Sequence, residues 1–261
     1  MKHSISIKFM WGDLPLPERA ARAAAHGFDA VELWVWRGED IDGLAEACRV
    51  EGIQIAGFFG HSHGGLRDPS QRDEVLSSLA ETIDLAKRVG ATQLHMFSDD
   101  IGPHSDIRKP PSVTWEAQWR SCVDGLKECV KLVEGTGMEL VVESINTVFV
   151  PGYFLETSGQ ALALCRAVDH EQVVMFFDCY HQQLVAGRLI DNLVEALPYT
   201  TAVHVADVPG RHQPGTGEIN FHGIKRVLDE RGFDRQLTFE VDPLNGDSDA
   251  AVEAIKAVWP F

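Results

Sequence analysis

Apolar and polar positions along this chain change period repeatedly, from short continuous apolar runs to stripes spaced three and four residues apart. The runs predict strands over residues 4–10, 29–34, 53–59, 92–97, 139–143, 173–178, 200–206 and 236–240. Helical patterns lie between them, over 16–26, 40–50, 70–89, 113–135, 158–168, 186–197, 219–230 and 248–258. In the third of these, Pro69-Ser70 opens the helix, Val75, Leu79, Ile83 and Ala86 form one apolar stripe, and Gly90 ends it. Gly27, Gly52, Gly90, Gly137 and Gly232 each follow a helical segment, where a left-handed cap favours a residue without a Cβ.

Eight strand-then-helix units with no linker or composition break predict parallel strands joined by helical crossovers. A single (β/α)8 TIM barrel spanning residues 1–261 accommodates all eight, at about the 250 residues usual for that fold. An open doubly wound sheet suits fewer strands, and no GxGxxG follows the first strand. Segments after strands are long (61–69, 98–112, 146–157 and 207–218), whereas those before strands are short. In such barrels the loops after the strands build the site.

Four of the last strands end in a residue that does not belong in an apolar interior: Glu143, Asp178, His204 and Glu240. Burying a charged group costs several kcal/mol unless it is paired. Alone, each carboxylate also reads as a cap or loop anchor, and His204 as a satisfied barrel histidine. Together they are separated by 35, 26 and 36 residues, one strand–helix unit each, so a closed barrel converges them on one side of its mouth. Three carboxylates and one imidazole suit one hard or borderline divalent cation, Mg²⁺ or Mn²⁺.

Composition narrows the partners. Apolar residues make up 44% of the chain, enough for one large core. The formal charge of −16, spread along the chain, argues against nucleic acid and against an anionic membrane. The five cysteines, at 48, 122, 129, 165 and 179, show no paired spacing, which fits a reducing compartment. No apolar run approaches the ~18 residues of a membrane span, and the N-terminus lacks a signal-peptide pattern. The expectation is a cytoplasmic protein that meets a small molecule.

The stretches Asn146-Thr147, Val150-Pro-Gly-Tyr-Phe-Leu155, Asp178-Cys-Tyr-His181 and Ala206-Asp-Val-Pro-Gly-Arg-His-Gln-Pro-Gly-Thr-Gly-Glu-Ile-Asn220 resemble the xylose-isomerase-like superfamily of sugar isomerases and epimerases. Within it the chain looks most like the hydroxypyruvate isomerase family. Similarity is dense from about 139 to 220 and looser elsewhere, including Phe28-Asp-Ala-Val-Glu-Leu33. The resemblance implies that Glu143 and Glu240 are paired catalytic glutamates that also touch the metal, and that Asp178 is a third ligand. It implies a substrate-binding role for His181 and an assembly that is a homodimer or homotetramer. The chain departs from the pattern at His204, where hydroxypyruvate isomerases usually carry glutamine and ketose 3-epimerases carry histidine. The loop His61-Ser-His63-Gly-Gly departs too.

The chemistry follows from these residue types. A C–H beside a carbonyl is too weak an acid for a carboxylate alone, and a divalent ion stabilises the enediolate. Two carboxylates flanking the plane can then move a proton between neighbouring carbons, which isomerises, or between faces of one carbon, which epimerises. Arg211, in the long loop after the seventh strand, offers a guanidinium fork for a substrate carboxylate, or a loop-closing pair with Glu218 or Asp207. Gly215-Thr-Gly217 offers N–H groups to an anion or closes a tight loop. His61, His63 and His95 are mouth-lining candidates, with His63 placed toward substrate, and Trp11, Trp34 and Trp36 are candidate pocket walls. The expected activity is isomerisation of a small hydroxycarbonyl acid of the hydroxypyruvate type, with a ketose 3-epimerase as the alternative. An endonuclease-IV-like repair enzyme and a non-catalytic barrel are further readings.

Overall fold

The computed structural model describes residues 1–261. Nine strands, β1 (Lys2–Ser6), β2 (Ala30–Glu32), β3 (Gln54–Ile55), β4 (Gly57–Phe59), β5 (Gln93–Met96), β6 (Glu139–Val142), β7 (Val173–Asp178), β8 (Thr200–Val205) and β9 (Gln236–Phe239), pair in parallel in the order β3-β2-β1-β9-β8-β7-β6-β5-β4. The helices are α1 (Leu16–Ala25), α2 (Ile41–Glu51), α3 (Arg72–Val89), α4 (Trp115–Val133), α5 (Ser158–Val168), α6 (Cys179–Val185), α7 (Leu189–Ala196), α8 (Phe221–Glu230) and α9 (Ser248–Val258).

β3 and β4 are two halves of the strand expected over 53–59, interrupted at Ala56. There the backbone bonds both ways: the Ala56 N–H donates to Val31 O at 2.8 Å, and the Ala56 carbonyl accepts from Gln93 N at 3.0 Å. The ring of eight strands is thereby closed into a TIM barrel. A Cβ at Gly57 would collide with the Gln93 carbonyl, so this close approach to β5 requires glycine.

The other differences from the sequence-based elements have physical causes. The first strand occupies Lys2–Ser6 rather than 4–10, because residues 7–10 leave the ladder while Ile7 and Met10 stay buried in the core. Helix α6 was not expected; it is seven residues long and starts directly from the Asp178 cap, too short for a helical stripe.

Alternation along the strands divides two interiors. Ile5, Val31, Leu94, Leu140, Met175, Val203 and Leu237 belong to the large apolar core covered by the helices. The intervening positions turn into the barrel, where Val141, Val174, Phe176 and Ala202 form a separate small apolar cluster. The rest of that lumen is polar and buried, including Ser4, Ser6, Glu32, His95 and Thr238. Its upper layer is the candidate site. No helix is long and apolar enough to cross a membrane, and all five cysteines are buried thiols.

Candidate active site

Glu143 lies one residue beyond β6, Asp178 ends β7, His204 is near the end of β8 and Glu240 lies one residue beyond β9. Strand register brings them level: Asp178 pairs with His204, and His204 with Thr238, two residues before Glu240. One donor atom from each of the four lies within 4.8 Å of the others, and all four residues are buried. His204 Nδ1 is 3.1 Å from Glu240 Oε2, 3.9 Å from Glu143 Oε1 and 4.0 Å from Asp178 Oδ2. Donor atoms sharing one octahedral cation at about 2.1 Å stand about 3–4 Å apart, so this spacing fits a divalent ion.

Each side chain is placed by its local structure. Asp178 caps α6, its Oδ1 accepting the His181 N–H at 2.8 Å, which leaves Oδ2 facing the cluster. Glu143 Oε1 has no hydrogen-bond partner although buried. The Tyr153 hydroxyl donates to the Glu143 carbonyl at 3.2 Å and accepts from Ser98 N at 3.2 Å, tying the end of β6 to β5.

Arg211 enters from the loop after β8. Its backbone is left-handed (φ 60°), a conformation costly for a side-chain-bearing residue, and Asp242 N holds its carbonyl at 2.8 Å. The guanidinium Nη2 is 2.7 Å from Glu240 Oε2 and 3.8 Å from Asp178 Oδ2. The group therefore pairs with the cluster, rather than with Glu218 or Asp207 as the loop-closing alternative had it. Trp34, Tyr180 and Phe149 surround it, with ring centres 5.4, 5.4 and 5.8 Å from Cζ. Arg211 and these rings lie over the cluster.

Burial and charge set the protonation states. Burial pushes Glu143 well above the ordinary carboxylate range, with Glu240 and Asp178 reinforcing the effect and His204 and Arg211 opposing it. Burial acts on Glu240 the same way, but the Arg211 charge and the His204 contact overcome it and hold the group down at about 2. His204 goes above its ordinary value because Glu32 and Glu240 outweigh burial.

His181 is held in the same layer. Its Nδ1 accepts the Asn146 backbone N–H at 3.3 Å and lies 2.6 Å from the Asn146 amide nitrogen. That assigns the ring proton to Nε2, which lies 3.9 Å from Asp178 Oδ2 and is a donor. Burial lowers the His181 pKa to about 4, so the ring is neutral at physiological pH.

The other sequence candidates are dispersed. His61 is buried: its Nε2 accepts from Phe97 N at 3.0 Å and its Nδ1 is 3.3 Å from His63 O, so it pins its loop to the end of β5. His63 is exposed and faces a charged groove with Arg37, Glu74, Glu81, Asp100, Arg108 and Lys109, and is not brought to the cluster. Trp11 donates to Asp249 and Trp36 to Thr82, so of the three tryptophans only Trp34 meets Arg211. Gly215 and Gly217 do bind an anion, the chain's own Asp207: its carboxylate accepts N–H groups of Val208, Gly215, Gly217 and Ile219. A Cβ at Gly217 would strike the Val208 carbonyl.

Glu32 was not among the sequence candidates for the site. It ends β2, is fully buried, and places Oε2 3.4 Å from His204 Nε2 and 3.9 Å from His95 Nε2. Its signal was the one used for the others, an acid closing the apolar run Ala30-Val-Glu32, but on a run of only three strand residues. His95 stands between Glu32 and Glu143, its Nδ1 3.8 Å from Glu143 Oε2.

Comparison with known proteins adds lineage to this geometry. The chain is 28% identical to a putative hydroxypyruvate isomerase of Danio rerio, over 99% of this chain and 96% of that one. It is 26% identical to a 2-oxo-tetronate isomerase of Cupriavidus necator, over 95% of each. Among solved structures, a family 2 AP endonuclease of Brucella melitensis superposes with a TM-score of 0.87 at 23% identity, covering 99% and 98% of the two chains. A D-psicose 3-epimerase of Clostridium cellulolyticum H10 gives 0.82 at 18% identity, covering 99% and 96%. The sequence model of the xylose isomerase-like TIM barrel matches residues 20–258, and the chain belongs to that family.

Proposed function

We propose that this protein is a metal-dependent isomerase of small α-hydroxycarbonyl acids, of the hydroxypyruvate and tartronate semialdehyde type. The observation that carries the reading is the buried convergence of Glu143, Asp178, His204 and Glu240 beneath the Arg211 guanidinium. The names of the two relatives, both isomerases of hydroxy-oxo acids, support the same class.

Glu143, Asp178, His204 and Glu240 would hold one Mg²⁺ or Mn²⁺, which supplies Lewis-acid stabilisation of negative charge developing on the substrate oxygens. Glu143 and Glu240 reach the site from different strands, β6 and β9, which supports a reading in which they flank the substrate plane. One takes the proton from the carbon beside the carbonyl and the other returns a proton to the neighbouring carbon, while the hydroxyl proton of the first carbon passes to the oxygen of the second, so that carbonyl and hydroxyl exchange places with no net change in protons. His181 donates Nε2–H to a substrate oxygen. Arg211 binds the substrate carboxylate with its fork, exchanging its contact with Glu240 for the ligand. The rings of Trp34, Phe149 and Tyr180 exclude water from the intermediate.

A ketose 3-epimerase is the second reading, favoured by His204, the residue the epimerase pattern carries at this ligand position. A repair endonuclease is disfavoured by the −16 charge, since a DNA groove must be basic. The deciding experiment follows product formation and deuterium uptake by NMR in D₂O, with metal-stripped protein reloaded with Mg²⁺. Conversion of hydroxypyruvate supports the acid isomerase; exchange confined to C3 of ketoses overturns it in favour of the epimerase.

A further inference from the structure

The polar lumen does not end at the four clustered side chains. Directly beneath them Glu32 is fully buried, and neither of its carboxyl oxygens has a hydrogen-bond partner. The nearest ring nitrogen is His204 Nε2, at 3.4 Å from Oε2, itself without an aligned partner. The opposite nitrogen, Nδ1, is the atom that looks at Glu143, Asp178 and Glu240. The imidazole therefore stands as a bridge, with three carboxylates on one side and one on the other. An imidazole that ligates a cation through one nitrogen must carry its proton on the other, and a carboxylate placed to accept that proton fixes both tautomer and ring plane. The register of β1 and β2 sets Ser6 beside Glu32, and the basic side chains within 4.0 Å of its carboxylate are the two histidines, His95 and His204.

We propose that Glu32 is a positioning residue of the cation site: its carboxyl accepts the Nε2–H of His204 and keeps the Nδ1 lone pair turned toward Glu143, Asp178 and Glu240. Glu32 itself touches neither cation nor substrate. This inference rests on the reading that the four residues hold a divalent ion.

The test is calorimetric titration of metal-stripped, full-length protein with Mn²⁺, comparing wild type with Glu32→Leu and Glu32→Gln. Glu32→Leu should weaken binding by roughly 10–100-fold, the usual cost of losing such an outer partner. Glu32→Gln, whose amide oxygen can still accept the ring proton, should retain affinity between the two. In Mg²⁺-loaded wild type, the His204 Nε2–H should give a downfield, slowly exchanging proton resonance that Glu32→Leu abolishes. Wild-type affinity in Glu32→Leu, within about twofold, overturns the role of Glu32 and leaves the cation site standing. Failure of wild type itself to bind Mn²⁺ overturns both. Should Glu32→Leu not fold, Glu32→Gln decides: a loss of about threefold or more supports the role, and an unchanged affinity overturns it.

Discussion

Replacing Arg211 by methionine removes the guanidinium beside Glu240 while keeping most of the side chain's apolar length. In the native structure that guanidinium sits 2.7 Å from Glu240 and 3.8 Å from Asp178, almost fully out of water. Glu240 is held at about 2, against an ordinary value of 4.5. That gap, which Arg211 and His204 produce together against burial, corresponds to roughly 3 kcal/mol of folded-state stabilisation at neutral pH, with Arg211 the largest contributor. Removing one partner of a buried ion pair costs a similar ~3–5 kcal/mol, because the remaining charge is stranded. Metal-free Arg211→Met should therefore unfold in urea at pH 7 with a free energy lower than wild type by about 3–5 kcal/mol. The sign with pH follows from a depressed folded-state value: the contribution is complete above about 4.5 and is lost as pH falls toward about 2. The difference between the two proteins should thus be present at pH 7 and shrink as pH falls from about 4.5 toward about 2. Saturating Mg²⁺ should also narrow it, since a bound cation replaces the missing positive charge. A difference below about 1 kcal/mol at pH 7, or one that ignores pH, would refute the electrostatic account of the cluster.

Glu143→Gln and Glu240→Gln should each reduce turnover by about 10²–10⁴-fold and suppress solvent deuterium uptake, measured by NMR with the substrate that wild type converts. If either retained wild-type turnover, that residue would not be transferring the proton. Asp207→Ala leaves four backbone N–H groups without their acceptor and should cost at least ~1–3 kcal/mol in urea unfolding, with faster proteolysis within residues 208–219. Arg211→Ala should weaken hydroxypyruvate binding much more than that of an uncharged ketose, as read by KM for each. Thr157→Ala breaks the capping box that starts α5 and should lower stability by about 1 kcal/mol without altering metal affinity.

Much of this architecture was written in local pattern. Apolar runs alternating with helical stripes marked the barrel strands, because a parallel strand covered on both faces leaves a continuous apolar signature over even four residues. The left-handed glycines behaved as their positions required, Gly52 and Gly90 at φ 73° and 76° closing α2 and α3. Strand-end acids and one histidine could be picked out because charge is expensive where the neighbouring residues are apolar. The break at Ala56 and the short α6 were not legible. The first arises from contact between Gly57 and a carbonyl 36 residues away, the second from a single cap on a helix too short to show periodicity.

What the sequence by itself determined, then, is the set of elements and the layer of the barrel in which polar groups gather, since both follow from periods of two and 3.6 acting over a few residues. Only the tertiary structure decided which groups meet. Closure of the ring places Glu32 of β2 against His204 of β8, although 172 positions separate them in the chain. It turns Arg211 onto Glu240 instead of onto its loop neighbours, and spends Asp207 and His61 on holding loops. These choices depend on distances between side chains from remote segments, and Coulomb and hydrogen-bond energies are set by those distances, which local pattern does not contain.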